Sequence, residues 1–324
     1  MLPDATQPLD ALDARIAFDA IFDASTDDAL IVDFLTTMSS RPASAIEIAT
    51  AAQALRDRML AVAAPAGAID VCGTGGDGSH SLNVSTAVAI VVAACGVPVA
   101  KHGNRAASSR SGAADTLEAL GLDLARASRL AEASLADLGI AFLFAQTHHP
   151  ALARLAPIRR AVGRRTIFNL IGPLANPARV TRQLIGIADP ALLDAYVDAI
   201  ALLSCESAMV VSGDEPLDEL SVAGPSTIKR TGLVAERIDP GIAGLPSHLP
   251  DDLRGGDAAY NAAALRALLD GEASAYRDAV LFNASGALIV AGRTDDWREG
   301  AAIAAEAIDR GAARNLLTTW IAYR

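Results

Sequence analysis

The stretch from Asp70 to Gly121 concentrates the residue types that could hold a phosphorylated ligand. It opens Asp70-Val71-Cys72-Gly73-Thr74-Gly75-Gly76-Asp77-Gly78, reaches Asn83-Val84-Ser85-Thr86, and continues through an apolar segment to Lys101-His102-Gly103-Asn104-Arg105. Three glycines in four residues allow a turn too tight for side chains and leave backbone N–H groups free. Asn83, Ser85 and Thr86 stand where the next helix should begin, with small polar groups beside the open N–H groups of a helix start. Lys101, the only lysine in the first two-thirds of the chain, adds a positive charge. Glycine loop, helix start and cation together form a polyphosphate cradle. The Asp77 carboxylate beside it would repel free phosphate unless a ribose hydroxyl or a metal ion mediates.

Two familiar phosphate motifs are absent. No Lys-Ser/Thr pair follows the glycines at the Walker spacing. Gly73, Gly75 and Gly78 match the letters of the dinucleotide pattern, but Asp77-Gly78 runs into a polar loop rather than a helix. A structural turn therefore remains the alternative reading of the glycines alone. The polar run Lys101 to Arg105 favours a ligand, because such groups are costly to bury at a strand end without one.

Three further segments carry candidate chemistry. His148-His149-Pro150 follows a predicted strand; either histidine could equally be a loop or cap partner, and no metal-ligand spacing supports a zinc site. Arg159-Arg160 and Arg164-Arg165 border Thr166-Ile167-Phe168-Asn169-Leu170-Ile171-Gly172-Pro173-Leu174-Ala175-Asn176-Pro177, a run too irregular for a regular element and suited to a shaped wall or hinge. The loop Asp214-Glu215-Pro216-Leu217-Asp218-Glu219 offers neighbouring carboxylates that could hold a hard divalent cation while substrate phosphates complete its shell. An acidic surface loop is the alternative there. Cys72, Cys95 and Cys205 are too few and scattered for a disulfide framework or thiolate site, and Cys72 reads as a small packing residue.

The elements that must position these groups follow from periodicity. Residues 10–66 read as helical: Leu30, Ile31, Phe34, Leu35 and Met38 share one face after a Ser25-Thr26-Asp27-Asp28 start resembling a capping box, and a second start lies at Ser44-Ala45-Ile46-Glu47. Pro65-Ala66-Gly67 looks like a linker. Short apolar strands then alternate with helices: strand Ala68–Cys72, helix Ser85–Cys95, strand Val97–Lys101, a helix ending at Gly121, another ending near Gly139, and strand Ile140–Ala145. The alternation resumes with a strand near Arg182–Ile187, a helix over Ala191–Leu203 and a strand at Ala208–Val211. Two β segments follow near Ser226–Lys229 and Leu233–Ile238, then helices, including Ala279–Gly292, where Asn283 interrupts an apolar run. This pattern predicts an α/β fold: a small all-helical domain plus a larger domain with a mostly parallel central sheet flanked by helices. Ligands in such folds sit beyond the carboxyl ends of the strands, where Gly73–Asp77, Lys101–Arg105 and Gln146–Pro150 all fall.

Composition sets limits. The chain has 324 residues, long enough for two domains. Aromatics make up only 4%, so alanine, leucine and valine must fill the core. The formal charge of -11 makes nucleic acid or an anionic membrane a poor partner, though not a phosphorylated small molecule. The first residues lack a basic start leading into an apolar core, and the apolar run Ala87–Ala100 is far below a bilayer-spanning length, so a cytoplasmic location is expected.

Taken together, Cys72 to Asp77, Asn83 to Thr86, Lys101 to Arg105, Arg165 to Asn169 and Asp218-Glu219 closely resemble the anthranilate phosphoribosyltransferase family, over about residues 12 to 322. The resemblance implies a homodimer. It also implies a helical domain of residues 1–66, joined in space by about 149–178, beside an α/β domain of 67–148 and 179–324, with the active site in the cleft between. The implied reaction moves the phosphoribosyl group of 5-phosphoribosyl 1-diphosphate onto the anthranilate amine. By this resemblance Gly73, Thr74, Gly75, Gly76, Asp77, Ser81, Asn83, Ser85, Thr86, Lys101 and Ala113 would contact the donor. Gly73, His102, Asn104, His149, Arg159 and Pro173 would line the anthranilate side. Ser85, Asp218 and Glu219 would hold two Mg²⁺ ions with the diphosphate. No residue is assigned as a general base.

Some positions depart from the family pattern. Ala113 in Ser111-Gly112-Ala113-Ala114-Asp115 lacks a hydroxyl usual there, a loss of ~1–3 kcal/mol if that hydroxyl meets a buried phosphate. Ala151-Leu152-Ala153 replaces the usual Ala, Met and Lys, Pro216 stands where glycine is common, and Ser39-Ser40-Arg41-Pro42 replaces a glycine turn. A related transferase with another aromatic acceptor is one alternative. A non-catalytic nucleic-acid-binding relative is another, and it should show a basic patch and eroded phosphate loops.

Overall fold

The computed structural model describes residues 2–106, 110–215 and 217–324. Three helices come first: α1 (Ala11–Phe22), α2 (Asp28–Met38) and α3 (Ala45–Arg56). The Ser44 hydroxyl accepts from Glu47 N–H, and the Glu47 carboxylate accepts from Ser44 N–H, so the expected capping box is present. The expected box before α2 is not; Asp27 is the cap there and accepts from Ala29 N–H. Ile31, Phe34, Leu35 and Met38 form the buried face of α2, but Leu30 points outward with 58% of its surface exposed.

The alternating region gives β1 (Ile69–Gly73), α4 (Val84–Ala94), β2 (Val99–Gly103), α5 (Ala113–Leu120), α6 (Leu124–Arg129), α7 (Ala131–Leu138), β3 (Ile140–Phe144), α8 (Ala145–His148), α9 (Ala151–Val162), β4 (Arg182–Gly186), α10 (Leu193–Leu202) and β5 (Ser207–Gly213). Strands β6 (Ser226–Arg230) and β7 (Glu236–Ile238) follow. Helices α11 (Ala258–Leu269), α12 (Ala275–Val290), α13 (Trp297–Asp309) and α14 (Ala312–Ala322) close the fold. The sheet order is β3-β2-β1-β4-β5-β6-β7; β1 to β5 pair in parallel and β6 and β7 antiparallel. A small helical domain thus sits beside a larger, mostly parallel α/β domain.

Two large apolar clusters cover the two faces of the sheet. On one face α4 is buried nearly all round and packs with α12 against β1, β3 and β5. On the other, α1 to α3, α9 and α10 pack with Ile185 and Val210, each outward from alternate strand positions. Phe18, Ile31 and Leu35 are fully buried there, worth about 1.5–3 kcal/mol each by their removal from water.

Of the boundaries that moved, two have a clear local cause, while the helix expected at Ala279–Gly292 begins earlier, at Ala275. Strand β2 runs two residues further than its apolar composition suggests, so Lys101 and His102 lie inside the strand rather than at its end. Hydrogen bonding overrides their polarity: Lys101 Nζ donates to Val71 O at 2.8 Å, and His102 N–H donates to the buried Asp70 carboxylate at 3.1 Å. The segment Leu233–Ile238 is strand only from Glu236, because a turn at 231–233 with Gly232 at φ +76° comes first.

Candidate active site

The carboxyl ends of β1 and β2 open onto a cavity of about 550 Å³, roofed by α9 and the irregular segment after it. The glycine loop, Gly73 through Asp77, forms one wall, with Ser81, Asn83 and Ser85 continuing it. Lys101, Ala113, Asp218 and Glu219 reach the same space. His102, Asn104, His149, Arg159 and Pro173 line the other end. Of the residues that the resemblance assigns to the site, Thr86 alone does not border the cavity; it is 1% exposed and its hydroxyl has no partner among the described residues, and His148, Arg160 and Arg164 also lie away from the cavity. Pro216 lies outside the described residues.

The acidic pair enters the cradle from β5. Gly75 N–H donates to Asp218 Oδ2 at 2.7 Å, and Ser85 N–H, in the first turn of α4, donates to Glu219 Oε1 at 3.1 Å. The close approach depends on two glycines. A Cβ on Gly73 would lie 2.1 Å from Asp218 Oδ2, and one on Gly186 would lie 1.6 Å from Asp218 O. Burial and the neighbouring Asp77 carboxylate raise the Asp218 pKa; burial and Asp218 raise that of Glu219. Lys101 also bonds Ser85 Oγ at 3.3 Å, so a cation, a hydroxyl and two carboxylates converge at the start of α4.

These donors suit Mg²⁺. They are hard oxygens, and among the described residues no set of three or more acidic, histidine or cysteine side chains forms a complete cage. A cation held here would keep open positions for waters and phosphate oxygens, as Mg²⁺ prefers. Burial raises both carboxylate pKa values most, and the added repulsion, from Asp77 on Asp218 and from Asp218 on Glu219, is what a divalent cation would relieve.

Asn83 has a busier position than a simple phosphate contact. Its Oδ1 accepts from Thr116 Oγ1 at 2.5 Å and Asn261 Nδ2 at 2.8 Å, and its Nδ2 donates to Ser111 O at 3.3 Å. Tyr276 Oη donates to its carbonyl at 3.0 Å. Asn83 therefore ties the start of α4 to three other elements.

At the acceptor end, His102 Nδ1 faces Gly172 O at 3.0 Å, and His102 Nε2 lies 3.2 Å from His149 Nε2. The carbonyl requires hydrogen on His102 Nδ1, which leaves His102 Nε2 to accept from His149 Nε2–H. Burial first, then the partner ring, lowers the His102 pKa to about 3; burial likewise lowers that of His149 to about 4. Burial keeps both rings neutral, and Gly172 O sets the tautomer of His102. Arg159 has no ion-pair partner among the described residues, and burial lowers its pKa. Leu152, Phe168 and Ile171 add apolar walls. The Cys72 thiol is pushed well above its ordinary range by burial, in keeping with a packing role.

Sequence reasoning gave no role to several residues that shape the site. Asn283 Oδ1 accepts from Leu220 N–H at 2.9 Å and its Nδ2 donates to Leu220 O at 2.9 Å, fixing the residue after Glu219. Its interruption of an apolar helix was the available signal. Asn176 Nδ2 donates to Asp70 Oδ2 and to Ala100 O, both at 2.8 Å, so the irregular segment is tied to β1 and β2. No local pattern marks that long-range pairing.

A mostly parallel sheet whose glycine loop meets an acidic pair at one end of a cavity is an arrangement suited to glycosyl transfer from a phosphorylated donor. The family model described as "Glycosyl transferase family, a/b domain" matches residues 66–314. The chain is 60% identical over 325 residues to anthranilate phosphoribosyltransferase from Novosphingobium aromaticivorans, covering 99% of this chain and 98% of that one. The Sphingopyxis alaskensis protein of the same name is also 60% identical, with the same coverage. The crystal structure of anthranilate phosphoribosyltransferase from Thermus thermophilus superposes with a TM-score of 0.92 at 37% identity, covering 98% of this chain and 96% of that chain. That from Saccharomyces cerevisiae, in complex with PRPP and Mg, gives 0.90 at 28% identity, covering 97% and 93%. The chain belongs to the anthranilate phosphoribosyltransferase family.

Proposed function

We propose that this chain transfers the 5-phosphoribosyl group of 5-phospho-α-D-ribose 1-diphosphate to the amine of anthranilate, giving N-(5-phosphoribosyl)anthranilate and diphosphate in tryptophan biosynthesis. The observation that carries this reading is the continuity of the cavity. One end offers backbone donors, Lys101 and the Asp218–Glu219 pair, and the other a half-buried arginine, with no ion-pair partner among the described residues, between apolar walls. The diphosphate fits the first end, and an aromatic carboxylate the second, with Arg159 facing its charge.

Gly73 to Asp77, Ser81, Asn83, Ser85 and Lys101 would bind the donor. Gly73, His102, Asn104, His149, Arg159 and Pro173 would seat anthranilate. Ser85, Asp218 and Glu219 would hold two Mg²⁺ ions. When bound, the ions neutralise charge on the departing diphosphate. Lys101 and the loop N–H groups stabilise the same charge as the C1–O bond breaks. The His102–His149 pair, which burial keeps neutral, lines the acceptor end and would help orient anthranilate there. A weakly basic aromatic amine attacking an oxocarbenium-like carbon depends chiefly on such orientation.

The domain division belongs to the same proposal: residues 1–66 with 149–178 as the helical domain, and 67–148 with 179–324 as the α/β domain. Shared packing of α1 to α3 with α9 supports it, although α10 and the sheet face join that cluster. A homodimer in the cytoplasm completes the reading, and the exposed Leu12 and Ile16, one turn apart on α1, would suit a subunit contact. Among the described residues no helix is long and apolar enough to cross a membrane.

Loss of anthranilate fluorescence on mixing protein, donor and Mg²⁺ tests the function. The signal should disappear with EDTA and with Asp218→Ala/Glu219→Ala. Donor binding by calorimetry without any fluorescence loss would refute the acceptor assignment.

A further inference from the structure

Arg165 lies just past α9, and its side chain crosses to the glycine loop on the facing wall of the cavity. One nitrogen, Nη1, donates to the carbonyl of Gly75 at 2.9 Å and to that of Gly76 at 2.7 Å. Both glycines have positive φ, +69° and +73°. A Cβ on Gly76 would stand 2.0 Å from that same Nη1, so the contact requires bare backbone there.

The consequence lies on the other side of the peptides. A trans peptide carries its C=O and N–H in opposite directions. Holding the Gly75 and Gly76 carbonyls on the guanidinium therefore fixes where the N–H groups of Gly76 and Asp77 point. Neither N–H donates to a protein acceptor among the described residues, and both residues border the cavity. Successive free N–H groups in a glycine turn form an anion-binding concavity. A guanidinium suits the task because its planar donors hold carbonyl oxygens in fixed directions.

We propose that Arg165 is a positioning residue for the phosphoribosyl donor, setting the glycine loop so that the Gly76 and Asp77 N–H groups meet its diphosphate. The inference rests on the reading of that loop as the donor cradle. It also makes the cradle depend on the segment after α9, since the residue that shapes the loop belongs to the wall that seats the acceptor.

The test compares Arg165→Met and Arg165→Lys with the unsubstituted full chain. In Arg165→Met the donor KM rises about tenfold or more, while the anthranilate KM and kcat change less than about threefold. Hydrogen exchange of the segment 73–82 in ligand-free protein increases, and the melting temperature stays unchanged because Arg165 is exposed. Arg165→Lys, which keeps a donor of nearly the same reach, recovers part of the donor KM. An unchanged donor KM overturns the inference, as does an equal rise in both KM values. A raised donor KM with unaltered ligand-free exchange also overturns it, since Arg165 would then touch the ligand rather than shape the loop. Calorimetry of the unsubstituted chain with donor and Mg²⁺ separates the two readings. No binding there removes the cradle reading and this inference with it; binding there with an unaffected Arg165→Met removes the inference alone.

Discussion

Gly186 ends β4 and does not border the cavity, yet its missing side chain sets the place of the acidic pair. A Cβ added there would lie 1.6 Å from Asp218 O and 2.3 Å from its carbonyl carbon. Backbone atoms cannot swing away as a long side chain can. To reach ordinary contact the Asp218–Glu219 segment must withdraw by about 1.5 Å or more. That shift would break the bonds from Gly75 N–H and Ser85 N–H and carry both carboxylates away from Ser85. Misplacement on this scale costs on the order of 10²-fold in rate, or roughly 2.7 kcal/mol of transition-state stabilisation. The overpacking itself costs about 1–3 kcal/mol of stability, a fall of a few degrees in Tm for a chain this long. Gly186→Ala should therefore fold, melt slightly lower and turn over anthranilate about a hundredfold more slowly, with a higher Mg²⁺ requirement, in the fluorescence assay. Native turnover at native Mg²⁺ dependence in a folded Gly186→Ala protein would refute the argument that the acidic pair is held by close backbone approach.

Three further outcomes are expected. The depressed pKa values of His102 and His149 mean that the unfolded chain binds more protons than the folded one between about pH 4 and 6.5. Stability is thus complete above about 6.5 and falls with acidification, by about 2 kcal/mol per histidine from pH 6.5 to 5; melting curves of the native chain should show this slope, and His149→Leu should lessen it. Ala113→Ser, which restores a hydroxyl at the start of α5 beside the cavity, should lower the donor KM up to about tenfold without changing the anthranilate KM. Asn283→Leu leaves the Leu220 N–H and C=O without their side-chain partner, which should cost about 1–3 kcal/mol in denaturant titrations and raise the Mg²⁺ concentration for half-maximal rate.

Local chemistry made much of this protein legible in its sequence. The strand–helix alternation follows from the spacing of apolar residues, and Gly121 and Gly139 end helices because each takes a left-handed conformation. The glycine loop, the start of α4 and the acidic pair stand out because so many small and polar groups rarely meet at strand ends without a ligand. Their membership of one cavity was expected from the parallel-sheet rule and the family resemblance, and Gly73, Lys101, Asn104, Arg159 and Glu219 do meet there. Tertiary structure alone decided the rest. Lys101 and His102 stay inside β2 because Val71 O and Asp70, on the neighbouring strand, satisfy them. Thr86 turns into the core rather than toward the cavity. Asn83 is claimed by Thr116 and Asn261, and Asn283 and Asn176 find partners 63 and 106 residues away. Such bonds depend on which backbones the fold brings within about 3 Å, and no periodicity or propensity along the chain records that distance.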